Sequence, residues 1–264
     1  MGTYIVGDIH GCYSEWIQLK NKIEQQDSNA TFILVGDIID RGKETYQMVM
    51  WAMDNITTDG KYQMVIGNHE REKIEGIAES MKFIKYHSDL PLTSINVVKD
   101  YNDRFDLFGQ LDVGTHSEAE TCDLLFNFVK WTISLPYIKD IVVNNQRFII
   151  AHANIPYSII EDNYSIKKEL NAKDKDYILW NRETYGFDKI PNAILVHGHT
   201  HTLSIEAFYG TGMNSREASK RFGKIVHTPN RYNLDCGIVF RGCDKNANLA
   251  ALRIDDLKEF YLYE

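Results

Sequence analysis

Five short segments carrying carboxylate, amide and imidazole groups recur along this chain, each directly after an apolar run, and no other feature restricts the fold as much. They are Gly7-Asp8-Ile9-His10-Gly11, Gly36-Asp37-Ile38-Ile39-Asp40-Arg41-Gly42, Gly67-Asn68-His69-Glu70, Ala151-His152-Ala153-Asn154 and Gly198-His199-Thr200-His201. The runs before them read as strands: Tyr4-Ile5-Val6, Phe32-Ile33-Leu34-Val35, Met64-Val65-Ile66, Arg147-Phe148-Ile149-Ile150 and Ala193-Ile194-Leu195-Val196. Groups at the carboxyl ends of parallel strands meet in the crevice beyond them, however far apart they stand in sequence. The pattern therefore demands a sheet whose strand ends share one site.

Between these runs the chain alternates. Trp16, Leu19 and Ile23 stand at helical spacing within residues 13 to 26, so strand, loop, helix and strand form a βαβ unit. Residues 43 to 54 and Glu70 to Ile84 read as further helices, as do residues 119 to 134. The stretch from His87 to Ser117 has no clear period and reads as irregular. Later, Ile138 to Val143 and Arg147 to Ala151 flank Asn144-Asn145, the signal of a hairpin with a two-residue turn. Strands are expected also over Asn233 to Phe240 and Ala247 to Ile254. The expected class is α/β, a mixed β-sandwich flanked by helices, in a single domain over residues 1–264.

A hydrophobic fraction of 44% in 264 residues is enough for a full core. With 29 basic against 37 acidic residues, the net charge of −8 argues against general affinity for nucleic acid or an anionic membrane. The first strand begins right after Met1, leaving no room for a leader, and no apolar stretch approaches a bilayer span. The four cysteines, Cys12, Cys122, Cys236 and Cys243, show no paired spacing, which suits a reducing, cytoplasmic setting. Cys12 stands at the expected start of a helix, where a thiolate would be stabilised.

The residue types suggest a chemistry. Asp8 and His10 alternate at a strand end and can reach one cation, Asp37 can bridge two through its two oxygens, and Asn68 offers an oxygen without charge. His152 and His199 add nitrogen donors, and such mixed ligation suits Mn²⁺, Fe²⁺ or Zn²⁺ better than Mg²⁺ or Ca²⁺. Two such ions roughly 3.5–4 Å apart activate a bridging water and brace an in-line displacement at phosphorus. His69, beside a ligand, can instead pair with Asp40 and protonate a leaving oxygen. Arg41 can fork two phosphate oxygens, or else form a salt bridge with Asp40. From spacing alone, Arg182 in Leu179-Trp180-Asn181-Arg182-Glu183 is an ordinary helix-surface arginine.

The Gly-Asp-x-His-Gly, Gly-Asp-x-x-Asp-Arg-Gly and Gly-Asn-His-Glu segments, in this order, resemble the phosphoprotein phosphatases of the calcineurin-like metallophosphoesterase superfamily, nearest the lambda-type phage and bacterial serine/threonine phosphatases. Trp180-Asn181-Arg182-Glu183 and Leu234-Asp235-Cys236-Gly237 extend the similarity, which runs from about Thr3 to Ile254. The resemblance implies a calcineurin-like fold and two divalent metals, most readily Mn²⁺. It places Asp8, His10 and Asp37 on the first and Asp37, Asn68, His152 and His199 on the second. It further implies Asp40 and His69 as an acid dyad and Arg41 and Arg182 as phosphate holders. His201 stands where this subgroup commonly has proline; Gly-His-x-His is the wider superfamily's pattern, in which the second His binds the first metal. His197 reads as structural, and His87, His116 and His227 have no partner pattern.

A second departure is the long excursion over residues 204 to 232, with Gly210, Gly212 and several basic residues, read as a glycine-hinged helix beside the cleft or a solvated surface. The activity these features imply is metal-dependent hydrolysis of phosphomonoesters by a bridging hydroxide attacking in line. Phosphoserine and phosphothreonine proteins are the leading substrates, with phosphotyrosine or a small phosphate ester next. The rival within enzymes is a symmetrical dinucleoside polyphosphate hydrolase, which would need an adenine pocket. A phosphoprotein-binding pseudoenzyme would lack a ligand or an acid, and none is missing.

Overall fold

The computed structural model describes residues 2–87, 96–97, 117–183 and 190–264, so the expected irregular stretch after His87, with His116, lies almost wholly outside the described residues. One sheet joins β1 (Thr3–Val6), β2 (Thr31–Leu34) and β3 (Tyr62–Met64) in parallel, and extends antiparallel through β9 (Ala250–Arg253) and β10 (Lys258–Tyr261). The other has parallel β5 (Gln146–Ala151), β6 (Ala193–His197) and β8 (Arg231–Asn233) at its centre. Its antiparallel edges are β4 (Ile138–Val143) and β7 (Val226–Thr228). The orders are β10-β9-β1-β2-β3 and β4-β5-β6-β8-β7.

Alternation along the strands decides what each layer buries. Ile5, Ile33, Phe148, Ile150, Ile194 and Val196 interleave between the two sheets. Their neighbours Tyr4, Val6, Phe32 and Leu34 face the other way, onto helices α1 (Tyr13–Glu24), α2 (Thr45–Asn55), α3 (Asn68–His87) and α4 (Glu118–Ser134). On the far side, Ile149 and Leu195 pack against Ile178 of α5 (Ala172–Trp180) and Ile159 of a short 3₁₀ turn. Each such Ile, Leu or Phe contributes about 1.5–3 kcal/mol by leaving water. The result is the helix-flanked mixed β-sandwich that the sequence implies, and α1 presents the expected Trp16, Leu19 and Ile23 stripe to the core.

Three expectations are corrected. The strand over Asn233 to Phe240 ends at Asn233, because Asp235 accepts the Gly237 N–H, Gly237 turns left-handed at φ +71°, and Ile238–Phe240 coils into a 3₁₀ turn. The excursion is not one hinged helix. It folds as a 3₁₀ turn (Ile205–Phe208), a short helix α6 (Ser215–Ser219) capped by Asn214, and then the β7–β8 hairpin. Cys12 does stand at the start of α1, yet burial, with Glu15 and Glu44 nearby, pushes its thiol up to about 12, the reverse of an activated thiolate.

Candidate metal and phosphate site

Among the described residues the six parallel strands release the chain toward one place. Asp8 follows β1, Asp37 follows β2 and Asn68 opens α3 beyond β3, while His152 follows β5 and His199 follows β6. Asp235, two residues past β8, completes the set from the second sheet. Cross-links between the sheets confirm the convergence: the His199 N–H donates to Asp8 Oδ2 at 3.0 Å, and Asn68 Oδ1 lies 2.8 Å from His152 Nε2 and 2.9 Å from His199 Nδ1.

The loops that carry these groups are strained. His10, Asp37, Asp40, Arg41 and His199 all have left-handed φ between +47° and +71°, a conformation that costs a non-glycine residue of order 1–3 kcal/mol. Tertiary hydrogen bonds hold them there. The Ile9 and His10 amides both donate to Asp37 O, and the Gly11 amide to Ile38 O. Glu70, wholly buried, accepts the Asp37 and Ile38 amides at 2.9 Å each and the Gly67 amide at 3.0 Å. Burial, with the charge of Asp37, pushes the Glu70 carboxyl up to about 7. In the sequence Glu70 reads only as the end of a motif. Its signal was available, since a Glu three residues after the residue preceding a helix is half of a capping box.

Asp37 is the shared corner. Its Oδ2 lies 3.3 Å from His152 Nε2, 3.7 Å from His10 Nε2 and 3.9 Å from His69 Nε2. The donor atoms of His10, Asp37 and His69, and those of Asp37, His152 and His199, fall within 4.8 Å of one another in each triad. Among the described residues neither Asp8 nor His201 joins a triad at that spacing, and His69 enters the first one. Asp8 instead faces Asp235, and burial together with that second carboxyl raises the Asp8 pKa well above its usual value. The charge of His201 opposes burial at Asp235, so His201 belongs to this corner; its ring also packs edge-on against Phe240 at 5.1 Å.

The donor set fits cations. Asp8 Oδ1, His199 Nε2 and His201 Nδ1 are buried without a hydrogen-bond partner among the described residues, a costly condition that a bound ion relieves. Burial alone would raise Asp37 and lower His152, but their mutual attraction prevails, holding Asp37 well below its usual value and drawing His152 up to about 10. His10 donates from Nδ1 to Ile39 O, which leaves Nε2 as the lone-pair nitrogen, and burial lowers its pKa to about 4. His152 is oriented in the same way by Val35 O at 2.9 Å. Burial, then the charge of His152, depresses His199 to about 3.

Beside the triads, His69 Nδ1 donates to Asp40 Oδ2 at 2.6 Å, and its backbone N–H donates to Asp37 Oδ1. Burial lowers the imidazole pKa, but the Asp40 bond and the charge of Asp37 outweigh it and raise the net value. Arg41 does not pair with Asp40. Its guanidinium forks onto the imidazoles, Nη1 to His10 Nε2 at 3.0 Å and Nη2 to His69 Nε2 at 3.1 Å. The cation that meets Asp40 is Lys73. Arg182 lies past the end of α5 rather than on its surface, and Nη1 donates to His199 O and Thr200 Oγ1 at 3.2 and 3.1 Å. His197, at the end of β6, accepts from Arg231 Nε at 2.8 Å and lines the cavity beside Arg182, and the exposed His227 stacks on Tyr232. A cavity of about 440 Å³ adjoins Arg182 and Thr200 and is walled by Tyr209, His227, Asn230 and Arg231 of the excursion.

Known proteins show the same affinity. The calcineurin-like phosphoesterase profile matches residues 1–210. A serine/threonine-protein phosphatase 2 from Salmonella typhimurium is 26% identical over 180 residues, covering 68% of this chain and 67% of the relative. A symmetrical bis(5'-nucleosyl)-tetraphosphatase from Proteus mirabilis is 33% identical over 70 residues, 26% of this chain and 24% of its own length. A protein serine/threonine phosphatase structure from Saccharomyces cerevisiae superposes with a TM-score of 0.49 and 12% identity over 99% of this chain and 78% of its own. With the profile spanning most of the sequence, the chain belongs to the calcineurin-like phosphoesterase family.

Proposed function

We propose that this protein is a dinuclear metal-dependent phosphatase acting on phosphomonoesters, with phosphoserine and phosphothreonine proteins as leading substrates. The observation that carries the reading is Asp37 Oδ2 at the common corner of two donor triads, with the His69–Asp40 pair and Arg41 alongside. Asp8, His10 and Asp37, with His201, would hold one ion, and Asp37, Asn68, His152 and His199 the other; nitrogen and oxygen donors in this mix favour Mn²⁺, with Fe or Zn next. Two bound ions supply a nucleophile from water near neutral pH and screen the phosphoryl oxygens.

The chain's own groups do the rest. The guanidinium of Arg41, exposed and already forked across two imidazoles, can turn the same fork onto two phosphoryl oxygens. Arg182, anchored beside His199, would take the other side. His69, its Nδ1 committed to Asp40, presents Nε2 as the acid for the leaving oxygen. A second reading, hydrolysis of a dinucleoside polyphosphate, is favoured by the cavity next to Arg182, whose Tyr209 and His227 rings could receive a base.

The test is a turnover panel with Mn²⁺ comparing p-nitrophenyl phosphate, phosphoserine, phosphothreonine and phosphotyrosine peptides, and diadenosine tetraphosphate. Phosphoserine or phosphothreonine peptides are expected to lead. A dinucleotide preference above about tenfold in kcat/KM, about 1.4 kcal/mol of discrimination, would replace the first reading with the second.

A further inference from the structure

Lys73 is a buried ammonium that the function proposed above does not use. It lies on α3 four residues after His69, so the two share one helix face. The residue is only 8% exposed, a rare state for lysine unless it is paired. Its Nζ is 3.1 Å from Asp40 Oδ1, while the other oxygen of the same carboxylate, Oδ2, takes the 2.6 Å bond from His69 Nδ1.

A carboxylate held at one oxygen keeps a broad torsional well about its last bond. Asp40 stands in a loop at φ +66° and is buried, so its carboxylate is oriented by the groups that face it. The Lys73 ammonium faces Oδ1 as an ion pair rather than a well-aligned hydrogen bond, and its attraction, acting on the oxygen opposite the one bound to His69, narrows that freedom and biases the plane of the group. The imidazole follows, as its Nδ1 is bound to one of those oxygens.

We propose that Lys73 is a positioning residue: by gripping Asp40 Oδ1 it locks Oδ2 onto His69 Nδ1 and aims His69 Nε2 at the leaving oxygen. This rests on the reading of His69 as the acid. In the step served, the bond between phosphorus and the leaving oxygen breaks, its electron pair stays on that oxygen, and the proton moves to it from His69 Nε2. Lys73 and Asp40 keep their protonation and charge throughout.

The experiment compares phenyl phosphate, whose leaving oxygen needs a proton, with 2,4-dinitrophenyl phosphate, whose leaving oxygen does not. The ratio of the two kcat values on one preparation is independent of the folded or metal-loaded fraction. His69→Asn is expected to lower the ratio about 100-fold or more and Lys73→Met about tenfold, within the usual span of general-acid contributions. Lys73→Arg should restore most of the loss. In the metal-free protein, the low-field proton resonance of the His69–Asp40 bond should shift or broaden in Lys73→Met. An unchanged ratio in Lys73→Met, with the ratio collapsed in His69→Asn, overturns the role of Lys73 and leaves the acid standing. An unchanged ratio in His69→Asn removes the acid and this inference together. An equal fall in the Met and Arg variants marks packing rather than charge and also overturns it, as does an unmoved resonance.

Discussion

At the scale of single residues, the site is shaped as much by what has no side chain as by what has one. A methyl group on Gly198 would sit 1.8 Å from Asp8 Oδ1, inside the carboxylate that the His199 amide holds. Gly198→Ala is therefore expected to displace Asp8, cost about 1–3 kcal/mol of stability through overpacking, and weaken Mn²⁺ binding in calorimetry. Unaltered metal affinity in that variant would separate Asp8 from the metal site. The same scale explains which roles could be read early. Asp8, His10, Asp37, Asn68, His152 and His199 announce themselves by donor type after a strand. Lys73 does not, because a lysine in the second turn of a helix looks solvated until its helix is docked against the Asp40 loop.

At the scale of elements, each parallel strand works as a rail that ends in a donor, and the hairpin between β4 and β5 sets one rail's register. Its turn residues Asn144 and Asn145 both lie at positive φ, +50° and +64°, as a two-residue turn requires. Asn tolerates this conformation, whereas a β-branched residue does not. Asn145→Val should cost about 1–2 kcal/mol in urea unfolding, and a variant with unchanged stability would mean that the turn contributes nothing to the pairing. This hairpin was readable because turn chemistry is local. The end of the strand after Asn233 was not, since it depends on Asp235 turning back to the Gly237 amide. The short pieces of the excursion were equally opaque, because α6 draws its stability from a cap and from packing of Ala218 against Ala207, Phe208 and Val226.

Across the whole molecule, the candidate ligands tie two sheets together. Asp8, Asp37 and Asn68 come from the first and His152 and His199 from the second, so a bound ion would bridge the sandwich at its strand ends. Mn²⁺ at one hundred times its Kd should add about 2.7 kcal/mol and raise Tm by roughly 5–10 °C for a domain of this size. Chelator-treated protein should behave differently with pH. The folded His152 pKa is about 10 against a usual 6.5, so its stabilising contribution is complete below pH 6.5 and is lost as pH rises toward 10. A Tm series from pH 6 to 10 checks this, and a metal-free protein equally stable at both ends would contradict the His152–Asp37 attraction. Among the described residues no helix is long and apolar enough to cross a membrane.

What the sequence alone determined was the sandwich of layers and which donor groups become candidates for the site, because both follow from short-range patterns: strand alternation, helical stripes, and donors placed directly after apolar runs. The tertiary structure decided how those groups are used. Only in the folded chain does Asp37 become the corner of two triads, Glu70 bind three loop amides, Arg41 turn to imidazoles instead of Asp40, and Lys73 take that place. His201 belongs to the same division: its motif named it a donor, but its neighbour Asp235 arrives from a strand more than thirty positions onward. Ligand type is written into a residue, whereas distance, burial and partner arise when separate strands are brought to a common edge.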